Sequence, residues 1–336
     1  MVSKILQKNE STALEKLTAK DFIKFKTFFT DFKTTHSLIF QNRFDMSSII
    51  HIFAPMKKGL VLEGGAMRGL FTAGIIDVMM EARIEPDGLI GVSAGAAFGC
   101  NYKSRQIGRA IRYNKAFAHD SRFCSWQSLL KSGDLYNAEF GYHVIPTKYD
   151  VFDNAAYDAN PMAFIAVCTD VETGKAVYKS LPKVTPLTYD WIRASASMPL
   201  VSRVVELEGM KVLDGGVADS IPLEYFESIG YEKNLVILTQ PDGYVKEHNK
   251  LMPLMRIALR KYPKMIEAMD QRHVMYNQQL AYVYQAESTG RALVIRPDKK
   301  LPIGHISHNP DEMQHVYDIG RQTGIKYIER IKAFFR

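Results

Sequence analysis

Apolar positions along this chain fall into short unbroken runs separated by longer stretches of helical period. The run from Lys58 through Leu60-Val61-Leu62 stops at Gly64-Gly65, and a helical pattern then extends from about Arg68 to Ala82. Pro86-Asp87-Gly88 reads as a turn. A second short run, Leu89-Ile90, leads into Gly91-Val92-Ser93-Ala94-Gly95, with another helical pattern starting at Ala94. Strand, turn, helix, strand, turn, helix is one βαβ crossover with a glycine-rich turn at the end of each strand. Such crossovers are right-handed in nearly all cases, so the two strands should lie parallel, with both turns opening on one edge of the sheet.

The alternation continues. Met162 to Cys168 is a continuous apolar run of strand length, as a central parallel strand requires, and Lys175 to Leu181 is a plausible partner. Tyr189 to Ser197 reads as a helix of small residues stopped by Pro199. Lys211 to Leu213 is a short strand ending in Asp214-Gly215-Gly216. Pro222 opens a helix, and Asn234 to Thr239 is a buried strand. From Met252 to about Ala286 the pattern is helical and rich in Met, Arg and Lys, and the helices around Met252 to Met269 suit a core or the lining of an acyl channel. Ala292 to Arg296 and Asp311 to Phe335 predict a last strand and a last helix. The fold class expected is a three-layer α/β/α sandwich around a mainly parallel sheet.

Composition adds boundaries. Residues 1–56 contain no glycine before the first strand, and Phe22, Phe25, Phe29 and Phe32 recur at helical spacing among lysines. This predicts a basic, aromatic N-terminal extension, either packed as a helix or lying on a membrane surface. Residues 57–240 form the expected catalytic domain, and 241–336 a mainly helical extension packed on it. The net charge of +7 suits an anionic surface, but the core domain carries no basic-aromatic platform motif for nucleic acid, so none is expected as a partner. No apolar run approaches membrane-spanning length, and Cys100, Cys124 and Cys168 have no metal-ligand spacing. A cytoplasmic protein with reduced thiols is expected, with peripheral membrane contact left open. Oligomeric state is not readable.

The chemistry lies in the turns. Gly91-x-Ser93-x-Gly95 at a strand-to-helix junction is the pattern of a nucleophile elbow, which presents a hydroxyl at a helix N-terminus. Gly64-Gly65-Ala66-Met67-Arg68-Gly69 fits neither phosphate-loop pattern, because Ala66 replaces the second glycine of the dinucleotide motif and no Gly-Lys-Ser/Thr follows. Its consecutive small residues could aim adjacent N–H groups at an oxyanion; the alternative is a glycine pair that only lets strand and helix pack closely. A base is also needed. Asp214 ends a strand on the edge where α/β sheets gather their sites. His305 and His308 come late enough for a Ser-His-Asp arrangement, but the segment around them reads as a surface loop.

Three blocks in this order, Glu63 to Gly69, Gly91 to Gly95 and Asp214-Gly215-Gly216, resemble the signature blocks of patatin-like phospholipases. Arg193-Ala194-Ser195-Ala196-Ser197-Met198-Pro199 resembles the family's segment before the last block. The resemblance covers about Lys57 to Thr239 and fades beyond it. It implies a lipid acyl hydrolase acting on a lipid or ester, with Ser93 as nucleophile, Asp214 as base and no histidine. It also implies an oxyanion hole from Gly64, Gly65 and Ala66, with Arg68 as the family's basic residue. Ala66 departs from the family's frequent third glycine, which raises the question of its backbone conformation. No cofactor or metal is expected. The rival readings are a histidine-dependent esterase and a non-catalytic lipid-binding protein on the same fold.

Overall fold

The computed structural model describes residues 56–124 and 133–336. The aromatic extension, with Phe22, Phe25, Phe29 and Phe32, lies outside the described residues. Met56–Arg336 forms one compact unit.

Eight strands make one mixed sheet: β1 (Lys57–Leu62), β2 (Gly88–Val92), β3 (Ala163–Asp170), β4 (Ala176–Ser180), β5 (Val205–Leu207), β6 (Met210–Asp214), β7 (Tyr231–Ile237) and β8 (Ala292–Ile295). β3, β2, β1, β7 and β8 run parallel, while β4, β5 and β6 pair antiparallel. The expected crossover is present: α1 (Gly69–Glu81) joins β1 to β2, and α2 (Ala94–Lys103) follows β2. Successive residues of each central strand serve different layers, as the two-residue period of a strand requires. Leu60 and Leu62 pack into a core with Phe71, Ile75 and Met79 of α1, whereas Val61 packs with Phe226, Leu280 and Val283 on the other face. A helix layer therefore covers each face, which gives the three-layer sandwich.

The first layer also holds α3 (Arg109–Ala116), α5 (Thr188–Ser195) and α9 (Pro310–Phe334); α4 (Asn154–Ala159) precedes β3. The second holds α6 (Leu223–Ser228) and α8 (Pro263–Ser288). The segment after residue 240 is thus woven into the unit, adding β8 to the sheet and a helix to each face. α9 lies directly against α1. A Cβ on Gly320 would come within 2.1 Å of Phe71 O, and one on Gly74 within 2.2 Å of Tyr317 O, so only glycine at both points lets the backbones meet. The helical pattern from Met252 to Ala286 divides into two helices, α7 (Met252–Ala258) and α8, because Pro263 cannot continue the first. Met252, Met255, Met265 and Met269 pack with Leu213 and Val217, so the methionine stripe is core. Among the described residues no helix is long and apolar enough to cross a membrane.

The sheet has one feature that positions everything else. β2 pairs with β3 up to Val92 opposite Val167. β4 covers Ile165 to Thr169 of β3. The overlap forces β2 and β4 onto opposite edges of β3. β6 pairs with Cys168 to Asp170, which overlaps β4 as well, so β6 must use the same edge as β2. β2 and β6 therefore arrive on one edge of β3 from opposite directions. Asp214 sits opposite Cys168, the position Ser93 would take if β2 continued.

Candidate active site

Ser93 cannot extend β2, and its backbone turns sharply, with φ 54° and ψ −121°, to start α2 as its N-cap. That conformation is one L-residues rarely adopt, and it costs roughly 1–3 kcal/mol, which the surroundings must hold in place. They do so through Ser195. The Ser93 N–H donates to Ser195 Oγ at 2.9 Å, and the Ser195 hydroxyl donates to Val167 O at 2.6 Å. A Cβ on Gly95 would come within 2.4 Å of Leu62 O, so the start of α2 can cross the end of β1 only with glycine there. Gly91 lies in β2 just before the turn.

Asp214 closes β6 and is buried. Its N–H donates to Ser197 O at 2.8 Å. Its carboxylate accepts the Gly216 N–H at 2.8 Å, and the Ser93 side chain beside it favours the charged form. Burial pushes its pKa above the ordinary carboxylate range; the Ser93 side chain, the Arg272 guanidinium and the Gly216 N–H oppose the shift only in part. The segment Arg193 to Pro199 thus serves both residues, holding Ser93 through a side chain and Asp214 through a carbonyl. Gly215 and Gly216 form a single helical turn after Asp214.

The glycine turn lies against Ser93. A Cβ on Gly64 would sit 3.0 Å from both Ser93 Cβ and Val92 O. Gly65 is extended, and Ala66 takes a left-handed φ of 49°. The alanine therefore occupies a glycine-favouring conformation, at a cost of about 1 kcal/mol, and keeps its N–H. Among the described residues the N–H groups of Gly64, Gly65 and Ala66 meet no acceptor. Ala66 to Arg68 is one helical turn, and Gly69 begins α1.

Four further groups converge here. Glu63 is buried, accepting Thr239 N–H at 2.5 Å and Tyr276 O–H at 2.6 Å. Burial raises its pKa. Arg272 of α8 donates to Gly216 O at 2.5 Å. Lys246 and His305 line the same cavity as Ser93 and Asp214. Sequence reasoning marked none of Lys246, Arg272 or Tyr276, since each looks like an ordinary residue of a polar stretch. The loop around His305 is exposed as expected, yet it turns back over the cleft. His305 Nε2 accepts from Arg68 Nη1 at 2.9 Å, and burial together with Arg68, Lys246 and Arg272 lowers its pKa. His308 faces away, with Nδ1 3.0 Å from Ala118 O. Among the described residues the recorded partners of the two histidines are Arg68 and Ala118.

Ser93 lies where two cavities meet. One is lined by apolar side chains, among them Phe98, Tyr113, Phe123, Tyr142, Ile145 and Ile192. The other contains Glu63, Asp214, Arg68, Lys246, Arg272 and His305. The methionine-rich α7 and α8 contribute Met255 and Met269 to the polar cavity and nothing to the apolar one.

Comparison with known proteins agrees with this architecture. Residues 262–336 match a domain of unknown function, DUF6363. The Escherichia coli K12 protein YjjU, named as uncharacterized, is 26% identical over 83% of this chain and 79% of its own. The lysophospholipase nte1 of Aspergillus oryzae is 23% identical over 82% of this chain, which is 18% of that much longer protein. The crystal structure of VipD from Legionella pneumophila covers 82% of this chain and 67% of its own, at 12% identity and a TM-score of 0.41. The family model described as patatin-like phospholipase matches residues 60–227, half of the chain. The chain belongs to the patatin-like phospholipase family.

Proposed function

We propose that the protein is a lipid acyl hydrolase that works through a Ser93–Asp214 dyad. The observation that carries this reading is the buried Asp214 carboxylate beside the Ser93 side chain, with its proton affinity raised by that burial. A carboxylate of ordinary pKa is a weak base toward a hydroxyl, and desolvation makes Asp214 a stronger one. Asp214 takes the Ser93 proton as Oγ attacks the ester carbonyl. The resulting oxyanion rests on the N–H groups of Gly65 and Ala66, with Gly64 leaving room for the approach. The tetrahedral species collapses, the C–O bond to the alcohol breaks, and Asp214 returns the proton to that leaving oxygen. Water, deprotonated by Asp214, then attacks the acyl-serine, and its proton returns to Ser93 as the fatty acid leaves. The apolar cavity beside Ser93 suits the acyl chain.

Contact with a lipid surface fits the outer face of α7. Leu251, Leu254 and Ile257 are exposed there, with Lys250, Arg256 and Arg260 alongside, while Asn249 and Met255 line the cleft. An apolar ridge among cations beside the site entrance is what an interface with anionic lipid requires.

The test is fluorophosphonate labelling together with hydrolysis of a long-chain ester. The wild type should label at Ser93 and release fatty acid, and Ser93→Ala should lose both. Undiminished hydrolysis by Ser93→Ala, or a wild type inert to the probe and to all esters, would overturn the reading.

A further inference from the structure

α8 turns one polar face toward the two segments that carry the chemistry. Arg272, Tyr276 and Gln279 are spaced four and three residues apart, so they share a side of the helix. Arg272 donates to Gly216 O and Tyr276 to Glu63, while Gln279 reaches the turn that follows Asp214. The Gln279 Oε1 accepts the Ser220 N–H at 3.1 Å and the Ile221 N–H at 3.0 Å, and its Nε2 donates to Asp219 Oδ1 at 2.7 Å. A neutral amide meets both demands at once, an acceptor for two N–H groups and a donor for a carboxylate. The turn passes this grip on to the base. The Ser220 hydroxyl donates to Gly216 O at 2.7 Å, and the Gly216 N–H donates to Asp214 at 2.8 Å. Asp219 is buried and held from its other oxygen by the hydroxyl of Tyr178 in β4, at 2.8 Å, and the Tyr178 ring stacks on Tyr225 of α6 with centroids 3.4 Å apart. Burial raises the Asp219 pKa to about 6, with the charge of Glu224 in α6 adding to the shift. Gln279 lines neither cavity beside Ser93, so what it does for the site it does through this turn.

We propose that Gln279 is a positioning residue for the Ser93–Asp214 dyad, setting from α8 the turn that aims the Asp214 carboxylate at Ser93. This rests on the dyad reading and goes beyond it by giving the C-terminal region a part in the chemistry. Gln279 lies within residues 262–336, which match the domain of unknown function, whereas the patatin-like match ends at residue 227. The base is thus aimed by a helix from outside the segment that supplies it.

The test is the rate of fluorophosphonate labelling at Ser93 in the full chain, for wild type, Gln279→Met and Gln279→Glu, at about pH 5.5 and about pH 8.5, on either side of the ordinary range of a buried carboxyl pair. Near-ultraviolet circular dichroism checks that each variant is folded, and taking each rate relative to wild type cancels the titration of the dyad itself. Gln279→Met keeps the length of the side chain but neither accepts nor donates. It should label about tenfold or more slowly than wild type at both pH values, as a misplaced base predicts. Gln279→Glu still accepts the two N–H groups, but it can donate to Asp219 only while the two carboxyl groups share a proton. It should label within about twofold of wild type at the lower pH and about tenfold or more slowly at the higher one, a pH-dependent rescue that a packing role alone would not produce. Labelling of Gln279→Met within about twofold of wild type overturns the proposal. So does a Gln279→Glu rate, relative to wild type, that is the same at both pH values, whether fast or slow, and this comparison decides alone if Gln279→Met does not fold. A wild type that fails to label overturns the dyad reading and this inference with it, whereas a labelling wild type with indifferent Gln279 variants overturns this inference only.

Discussion

Ser195→Ala isolates the contact that holds the elbow. Ser195 is fully buried, and its hydroxyl both accepts from Ser93 N–H and donates to Val167 O. Alanine at this position leaves two buried backbone groups without that partner. Each orphaned group costs about 1–3 kcal/mol, the amide more than the carbonyl, which predicts a loss of about 2–4 kcal/mol in unfolding free energy. The same change frees a residue held at φ 54° to relax, and a displaced nucleophile loses reactivity steeply. The fluorophosphonate labelling rate at Ser93 should therefore fall about tenfold or more. Ser197→Ala is the matched control two residues along. Its hydroxyl donates only to Arg193 O at 2.9 Å, a carbonyl that already accepts from Ala196 N–H, while the bond to Asp214 uses the Ser197 carbonyl. That variant should cost about 1 kcal/mol and label normally. Urea unfolding at neutral pH and a labelling time course decide the matter. A Ser195→Ala protein as stable and as reactive as Ser197→Ala would refute the reasoning.

Other substitutions probe the surroundings. Asp77 is buried between α1 and α9, accepting Gly108 N–H at 2.9 Å and Tyr317 O–H at 2.6 Å, and burial raises its pKa to about 6 from 3.8. A raised carboxylate pKa stabilises the fold fully below the unfolded value, and that stability is lost as pH rises through the folded value. The contribution lost between about pH 4 and 6 reaches roughly 3 kcal/mol. Asp77→Asn should flatten the fall in denaturation free energy across that window, and an unchanged slope would show that the proton sits elsewhere. Ala66→Gly should raise the melting temperature slightly, by up to about 1 kcal/mol in free energy, because glycine tolerates the left-handed φ and keeps the N–H. Marked destabilisation of that variant would mean the methyl is needed for packing.

The βαβ unit and its two glycine turns were readable because the signals are local: short apolar runs, small residues at the turns and a helical period between. Asp214 was readable for the same reason, as the end of a strand followed by glycines. The pairing of β6 end to end with β2 was not, since no local pattern says which edge of β3 a strand will use. Lys246 and Arg272 escaped for a related reason. They lie on separate segments that meet only after the chain has closed on itself, and each alone resembles an ordinary solvated residue. Pro263 did announce the break between α7 and α8, but the helical period on both sides masked it. The left-handed turn at Ala66 ran against the residue's own preference, and local conflicts of this kind concentrate where function overrides propensity.

The shared edge of β3 has a consequence for how this site can vary. Val92 and Asp214 sit opposite Val167 and Cys168, so the spacing of the two strand ends is set by one peptide unit of a third strand. A covalent step of about 3.8 Å is a stiffer ruler than any packed interface. Outside Arg193 to Pro199, which holds Ser93 and Asp214, the chain between β3 and β6 can lengthen or change sequence without moving the two ends apart. A one-residue slip of β6, by contrast, would turn the carboxylate to the opposite face of the sheet. Variation among proteins of this design should therefore accumulate in those outer parts of the excursion and stop abruptly at the Arg193 to Pro199 segment and at the strand that measures it.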